Sequence, residues 1–310
     1  MIIEENHDLP LCRVQLTMRT GAATDWHPAP AVGLKAGKRL DGLCNFATEM
    51  QRRGAGGKTR AELDEAADAL GASVHVVCYS DQVIYETIAL KEYIDPACAL
   101  LSDVLLRPDF PKDEAARLKR ELIGNHDEMR DDDGSLVNRF FARELYGEHP
   151  YALPVGGTAE TIAGYTIPLA KNWVSHYRVR DNFVLGTAGD LTEKEAKALF
   201  TRHFAIGATS AAEDGLPKGP RRDEKPPEPA AQKRTRVVII DKPERTQSQI
   251  LIGQIGPHWS DPNWLPLYVA TTAFGGTFTA RLMDEVRVKR GLSYGANARL
   301  GSGRGRRALT

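Results

Sequence analysis

The sequence predicts an α+β fold of two tandem homologous domains, each a mostly antiparallel β-sheet packed against helices, with the second domain incomplete. Two observations carry this prediction. A charged, proline-rich segment without apolar periodicity, Ala208–Gln232, separates a domain at 1–207 from the start of another at 233–310. After it the order of strand, strand and apolar helix returns, so that Ile250–Gly276 parallels Leu11–Met50.

The amino-acid composition gives no indication of a nucleic-acid or membrane partner. Of 310 residues, 42% are hydrophobic, which is enough to bury the cores of two domains. Because 41 basic residues balance 41 acidic ones, nothing in the charge favours nucleic acid or an anionic membrane. No apolar run approaches the roughly 20 residues of a membrane span. The four cysteines show no C-x-x-C spacing and are expected to be buried thiols.

The first domain is predicted element by element from periodicity and capping signals. Alternating side chains indicate strands, and Thr-x-x-Glu sequences before apolar periods indicate helix starts. Prolines at 108 and 111 separate two of the helices, because proline cannot lie inside a helix. The predicted strands are Leu11–Thr20, Ser73–Tyr79, Gln82–Leu90 and Asp181–Asp190, and the predicted helices are Gly42–Arg53, Thr59–Leu70, Ile94–Leu105, Lys112–Met129, Leu136–Leu145, Thr166–Val179 and Thr192–Phe204, with a loop at Trp26–Gly37.

Helix Gly42–Arg53 carries the residues on which the function depends. Its apolar face recurs at i, i+3, i+4 and i+7, which is typical of an amphipathic helix packed on a core. A second face carries three polar side chains, and residues three and four apart on a helix project together. The apolar face consists of Leu43, Phe46, Ala47 and Met50, and the polar face consists of Asn45, Thr48 and Glu49.

The stretch Gly42–Met50, with Gly57–Arg60 and Leu70–Ala72 after it, resembles the metal helix of the pitrilysin/insulinase family of zinc peptidases. The signature of that family on this helix is H-x-x-E-H. The resemblance places the first histidine, the water-activating glutamate and the second histidine at Asn45, Thr48 and Glu49, so all three are substituted. It places the third zinc ligand, a glutamate in relatives, at His126.

These substitutions remove the chemistry of a zinc peptidase. A catalytic zinc needs three strong protein ligands, and the amide of Asn45 is a poor one. The hydroxyl of Thr48 cannot accept a proton near neutral pH as a carboxylate does. We therefore expect no metal and no catalytic residue in this chain alone, and we expect zinc in a partner.

The second domain begins with predicted strands at Arg234–Asp241 and Gln249–Gln254 and an apolar helix at Trp264–Phe274. The segment Ala280–Tyr294 then resembles the family sequence R-L-x-x-E-I-R-x-K-x-G-L-x-Y, a helix followed by a strand. In the family this segment supplies an arginine and a tyrosine that hold the substrate backbone. The tail Gly301–Thr310 does not continue the pattern, so we expect a truncated domain. The substrate-binding positions fall at Arg287 and Tyr294.

The resemblance implies a catalytically degenerate subunit that binds unfolded peptide for a homologous, zinc-bearing peptidase. Two alternatives stay open at this point: an active zinc endopeptidase with a non-standard site, and a structural subunit in which neither site matters. The absence of a base at Thr48 counts against the first. The start Met1–Glu5 carries no export signal, which indicates the cytoplasm, or the periplasm if a signal precedes this start.

Overall fold

A computed structural model describes residues 1–26, 39–205, 215–219 and 225–310. Of the predicted loop Trp26–Gly37, only Trp26 lies within the described residues. Residues 208–214 and 220–224 of the predicted linker also lie outside them.

The chain divides into two compact units, each formed by two stretches of sequence. The first unit comprises Met1–Glu128 and Leu153–Glu224. The second comprises Met129–Ala152 and Lys225–Thr310. The sequence had placed Met129–Ala152 in the first domain, because it follows the helices of that domain without a break in pattern.

The elements follow the sequence prediction closely as far as Phe204. In chain order they are β1 (Ile2–Glu5), β2 (Leu11–Met18), α1 (Leu43–Gln51), β3 (Gly54–Ala55), β4 (Lys58–Thr59), α2 (Arg60–Ala69), β5 (Ser73–Cys78), β6 (Val83–Leu90), α3 (Ile94–Leu106), α4 (Lys112–Asp131), α5 (Asp133–Tyr146), α6 (Ala159–Ala163), α7 (Ile167–Tyr177), β7 (Phe183–Gly189), α8 (Glu193–Phe204), β8 (Gln254–Ile255), α9 (Trp264–Thr271), α10 (Arg281–Met283) and β9 (Ala308–Leu309).

A five-stranded sheet in the order β1-β7-β2-β6-β5 forms the centre of the first unit. β2 pairs antiparallel with both β6 and β7, and β5 and β6 form the predicted hairpin. β1 pairs parallel with β7, an edge strand that the sequence did not predict. The prediction of a mostly antiparallel sheet is confirmed for this unit.

Helices cover the buried face of the sheet. α1 packs on β5 and α7, while α3 packs on β6 and α8. The predicted capping boxes at Thr59 and Thr192 are present, and each threonine accepts the backbone N–H of the glutamate three residues later. The predicted apolar face of α1 is buried throughout, at Leu43, Phe46, Ala47 and Met50.

The predicted strands of the second unit are wrong. Arg234–Asp241 and Gln249–Gln254 form no ladder in the described part of the chain, apart from a two-residue pairing of β8 with β9. A strand is stabilised by hydrogen bonds and side chains of neighbouring strands, and alternation alone supplies neither. Val237 and Ile239, which the sequence placed in a sheet, are accordingly 83% and 86% exposed.

The predicted helix Trp264–Phe274 is confirmed. It consists of α9 and a π-helical turn that continues it to Gly276. The motif Ala280–Tyr294 begins with the short α10, which a second π-helical turn continues to Val288. The strand expected after it does not form, for the same lack of a partner strand. None of the described helices is long and apolar enough to span a bilayer.

Candidate functional site

The start of α1 is fixed by a buried carboxylate that sequence analysis missed. Asp25 is fully buried, and its side chain accepts hydrogen bonds from the backbone N–H groups of Gly42, at 3.0 Å, and Cys44, at 3.1 Å. It thereby satisfies donors that every helix start leaves unpaired. Burial raises the pKa of Asp25 well above its usual value, although these hydrogen bonds oppose the rise. Sequence analysis missed this cap because Asp25 lies 17 residues before Gly42, whereas capping patterns are local.

Gly42 lets the chain enter α1 close to another backbone segment. Its φ of 91° lies in the left-handed region, and a Cβ built there would lie 2.5 Å from the Cα of Gly157. The loop Gly156–Thr158 therefore packs against the start of the helix. Farther along the chain, Thr161 and Tyr165 both donate to the carbonyl of Asp41.

Thr48, at the position of the water-activating glutamate, is 1% exposed. Its hydroxyl donates to the carbonyl of Cys44 at 2.9 Å and lies 3.1 Å from that of Asn45. The side chain is therefore engaged with the backbone of its own helix, a common arrangement for threonine inside helices. It can neither reach a substrate nor accept a proton.

Glu49, at the position of the second histidine, lies half-buried. Burial raises the pKa of Glu49, and the nearby Arg53, Arg52 and Arg60 oppose the rise. Each of these arginines is also paired with a carboxylate of Asp64, Glu114 or Glu121. Asn45, at the first histidine position, is also half-buried.

Arg53, just after α1, makes the ion pairs that join this helix to α4. Its side chain is only 7% exposed and lies 3.2 Å from a carboxylate oxygen of Glu114 and 2.5 Å from one of Glu121. Hydrogen bonds from Arg53 hold the pKa of Glu121 below its usual value. The sequence signal was available, because Glu114 and Glu121 lie two turns apart on one face of a predicted helix.

The described side chains do not fit a catalytic zinc. His126 lies half-buried on α4, five residues beyond Glu121. Within residues 1–26, 39–205, 215–219 and 225–310, no three His, Cys, Asp or Glu side chains are grouped so as to hold a metal ion.

The second unit brings the two predicted substrate-binding residues together. The guanidinium carbon of Arg287 lies 4.6 Å from the ring centroid of Tyr294 and 4.8 Å from that of Phe278. A turn makes this possible, because Gly291 has a φ of 61° and Leu292 donates back to the carbonyl of Val286. Tyr294 is 87% exposed and Phe278 is 68% exposed. Sequence analysis missed Phe278, since nothing in its spacing relates it to Arg287.

The first unit is an α+β fold in which α1 packs on a mostly antiparallel sheet, and family comparisons identify the class of protein that has it. The chain belongs to peptidase family M16, the insulinase family. The profile of the insulinase family, peptidase family M16, matches residues 1–159, and the profile of the M16 inactive domain matches residues 167–310.

Among curated proteins, the chain is similar to uncharacterized zinc proteases. It is 24% identical to YmxG of Bacillus subtilis over 258 residues, which cover 82% of this chain and 59% of that protein. It is 26% identical to ML0855 of Mycobacterium leprae over 260 residues, which cover 83% of this chain and 56% of the relative. The chain thus spans little more than half the length of these relatives.

Solved structures confirm the fold over nearly the whole chain. A peptidase M16 inactive domain from Pseudomonas fluorescens superposes with a TM-score of 0.79 at 24% identity, covering 99% of this chain and 69% of that one. A protease from Helicobacter pylori superposes with a TM-score of 0.78 at 14% identity, covering 99% and 70%. At these identities the likeness concerns the fold alone.

Proposed function

We propose that this chain is a non-catalytic member of family M16 that binds unfolded peptide for a homologous, zinc-bearing peptidase subunit. The observation that carries the proposal is the contrast between the two sets of site residues. Thr48 is buried and hydrogen-bonded to its own helix, whereas Arg287 and Tyr294 lie together with the tyrosine exposed. In this proposal the described residues lack the chemical half of a peptidase site and supply a peptide-binding half.

Arg287 and Tyr294 suit a peptide backbone. A guanidinium carries five N–H donors and a phenol carries one O–H, and all of these can donate to peptide carbonyls. Because Tyr294 stacks on Arg287, the two donors are held near each other before peptide arrives, which lowers the entropy lost on binding. Donors aimed at the carbonyl under attack stabilise the charge that develops on its oxygen. In this proposal the base and the metal belong to the partner.

The family comparisons support a division of peptide binding and catalysis between two homologous subunits. The residues that include Arg287 and Tyr294 match a profile described as an inactive domain, and the curated relatives are described as zinc proteases. In such a family, a chain without a set of metal ligands can bind peptide for a homologue that holds the zinc.

The test is reconstitution with a homologous subunit that carries an intact H-x-x-E-H. We expect the chain alone to hold well under one zinc and to cleave no unfolded peptide. In the complex, Arg287→Ala and Tyr294→Phe are each expected to lower kcat by about 10²–10³-fold, with assembly and zinc content unchanged. Tyr294→Phe keeps the aromatic ring and removes only the hydroxyl. Arg281→Ala, at an exposed arginine of the same segment, is the matched control and leaves kcat unchanged.

Two outcomes contradict the proposal and point to different alternatives. Stoichiometric zinc with chelator-sensitive cleavage by the chain alone identifies an active peptidase with a non-standard site. A complex that assembles and cleaves at the wild-type rate with both variants identifies a structural subunit.

A further inference from the structure

Two cysteines from distant parts of the first unit meet beside α1. The Sγ atoms of Cys44, in the first turn of α1, and Cys78, the last residue of β5, lie 2.9 Å apart. Both cysteines are free thiols in the structure. A disulfide bond measures about 2.05 Å, so a shift of about 1 Å closes the gap. The sequence, which lacks C-x-x-C spacing, gave no sign of this pair.

We propose that Cys44 and Cys78 are a redox-active dithiol that forms an intramolecular disulfide by exchange with a small disulfide such as glutathione disulfide. The proposal does not depend on the proposed function, because it rests on the geometry of the first unit alone.

The accessibility of the two sulfurs sets the order of the steps. Cys44 is fully buried, whereas Cys78 is only partly buried, so the reagent meets Cys78. The Cys78 thiol gives its proton to solvent, and its thiolate attacks one sulfur of glutathione disulfide and releases one glutathione thiolate. The Cys44 sulfur then attacks the Cys78 sulfur of the mixed disulfide, and its proton passes to the departing glutathione thiolate, which leaves as the second glutathione. Two protein thiols are oxidised, and one disulfide is reduced to two thiols.

The other two cysteines differ from this pair in their surroundings. Cys12 is fully buried and donates its thiol hydrogen to the carbonyl of Asp190 at 3.4 Å. Cys98 is fully buried in α3, where burial raises its pKa to about 12. Cys12 and Cys98 lack the access that exchange with a reagent requires. Burial raises the pKa of Cys44 as well, but its sulfur lies 2.9 Å from that of the partly exposed Cys78 and therefore needs no access of its own to the reagent.

The disulfide ties the first turn of α1 to the edge strand of the sheet. β5 is the last strand in the order β1-β7-β2-β6-β5, and it has a neighbour on one side only. The link closes a loop of 34 residues that contains the rest of α1 and all of α2. Closing a loop of this size restricts the unfolded chain and stabilises the folded unit. The polar face of α1 would then be held more rigidly in oxidising surroundings than in reducing ones.

The experiment uses the full chain, reduced, freed of reductant and equilibrated with mixtures of reduced and oxidised glutathione. Before alkylation, the mass of the chain is expected to fall by about 2 Da. After acid quenching and alkylation, two of the four thiols should escape the alkylating reagent, with Cys44 and Cys78 joined in the peptide map. The melting temperature of the first unit is expected to rise by about 5–10 °C and to return on reduction. Cys98→Ala, the matched control, keeps both responses.

Cys44→Ala and Cys78→Ala are each expected to abolish the intramolecular link. If either variant fails to fold, the peptide map of the wild-type chain still decides the question. Three results overturn the proposal: four free thiols at every glutathione ratio, a link between any other two cysteines, or a reaction that stops at a glutathione adduct on Cys78.

Discussion

Arg287 lies over two aromatic rings, with its guanidinium carbon 4.6 Å from the ring centroid of Tyr294 and 4.8 Å from that of Phe278. The sequence placed the tyrosine on a strand, yet the structure reaches the same juxtaposition through a turn at Gly291. The attraction between a cation and the faces of two rings is therefore what orders the pair locally.

The first prediction concerns Phe278, which touches Arg287 and offers no hydrogen-bond donor of its own. Phe278→Ala is expected to weaken the binding of an unfolded peptide by about 2–5-fold, because Arg287 loses one of the rings that position it. Titration calorimetry of the chain with peptide measures this. Phe274→Ala, at a 52% exposed ring of the same unit, is the control and leaves the affinity unchanged. Equal losses for the two variants would refute a specific role for Phe278.

The second prediction concerns the ion pairs between α1 and α4. Arg53→Met leaves Glu114 and Glu121 without their guanidinium and is expected to cost about 2–3 kcal/mol, less than for a fully buried pair because Glu121 is 37% exposed. Urea unfolding of the first unit measures the loss. Arg52→Met is the matched control, because Arg52 and Asp64 are 37% and 42% exposed, and it is expected to cost under about 1 kcal/mol. Similar losses would show that burial of Arg53 contributes nothing.

The third prediction is a pH dependence at Glu49. Burial raises its folded pKa above the ordinary value of 4.5, so the folded chain binds this proton more tightly than the unfolded chain does. Stability from this group is therefore present at low pH and is lost as pH rises from 4.5 through the folded pKa. Glu49→Gln is expected to be more stable than the wild type at pH 7, and the two melting curves should converge toward pH 4.

Glu65→Gln, at an exposed carboxyl of α2, is the control for that measurement and is expected to leave the melting temperature unchanged at both pH values. A gain at Glu49→Gln that persists unchanged at pH 4 would mean that the carboxylate charge is not its cause.

Most secondary-structure elements of the first unit could be predicted from the sequence because the patterns that indicate them are local. Alternation, threonine caps and proline breaks predicted most of its elements, and the core face of α1 followed from its periodicity. The contacts that distinguish the site are non-local: Asp25 reaches Gly42, Arg53 reaches Glu121, and Cys44 reaches Cys78. No spacing rule encodes these. In the second unit, the alternation of apolar and polar residues gave a wrong prediction. Val237 and Ile239 have the pattern of a strand, but no described strand pairs with them.

The fourth prediction concerns two threonines that flank Val14 in the sheet. Thr87 and Thr187 lie opposite Val14 on its two sides, are 0% and 5% exposed, and have hydroxyls without a hydrogen-bond partner. Thr87→Val and Thr187→Val keep the shape and remove the unpaired hydroxyl, so each is expected to stabilise the chain by about 1 kcal/mol.

The matched control is Thr20→Val, another buried threonine, whose hydroxyl accepts a hydrogen bond from Asn182 at 2.8 Å. It is expected to destabilise the chain by about 1–3 kcal/mol, since the buried amide nitrogen of Asn182 loses one of its two acceptors and keeps only the carbonyl of Tyr177. Urea unfolding compares the three variants. A loss of stability at Thr87 and Thr187 as large as that at Thr20 would show that their hydroxyls do have partners.

The last prediction is that the metal site can be rebuilt, and that all of its ligands are required. The resemblance assigns the ligands to Asn45, Glu49 and His126 and the base to Thr48, and a catalytic zinc takes three protein ligands. The variant with Asn45→His, Thr48→Glu, Glu49→His and His126→Ala is expected to bind zinc weakly, since it supplies only two of them. The fourfold variant, which carries His126→Glu in place of His126→Ala, should hold about one zinc per chain.

Stability gives a readout that does not depend on activity. Thr48 is 1% exposed, so a carboxylate at this position is costly to bury without a positive partner. The fourfold variant is therefore expected to melt below the wild type in the presence of a chelator, and zinc should restore much of the difference because it binds the folded chain alone. The wild-type melting temperature should not respond to zinc. If the variant with His126→Ala binds zinc as tightly as the fourfold variant with His126→Glu, His126 is not the third ligand position, and another residue of α4 has to be sought.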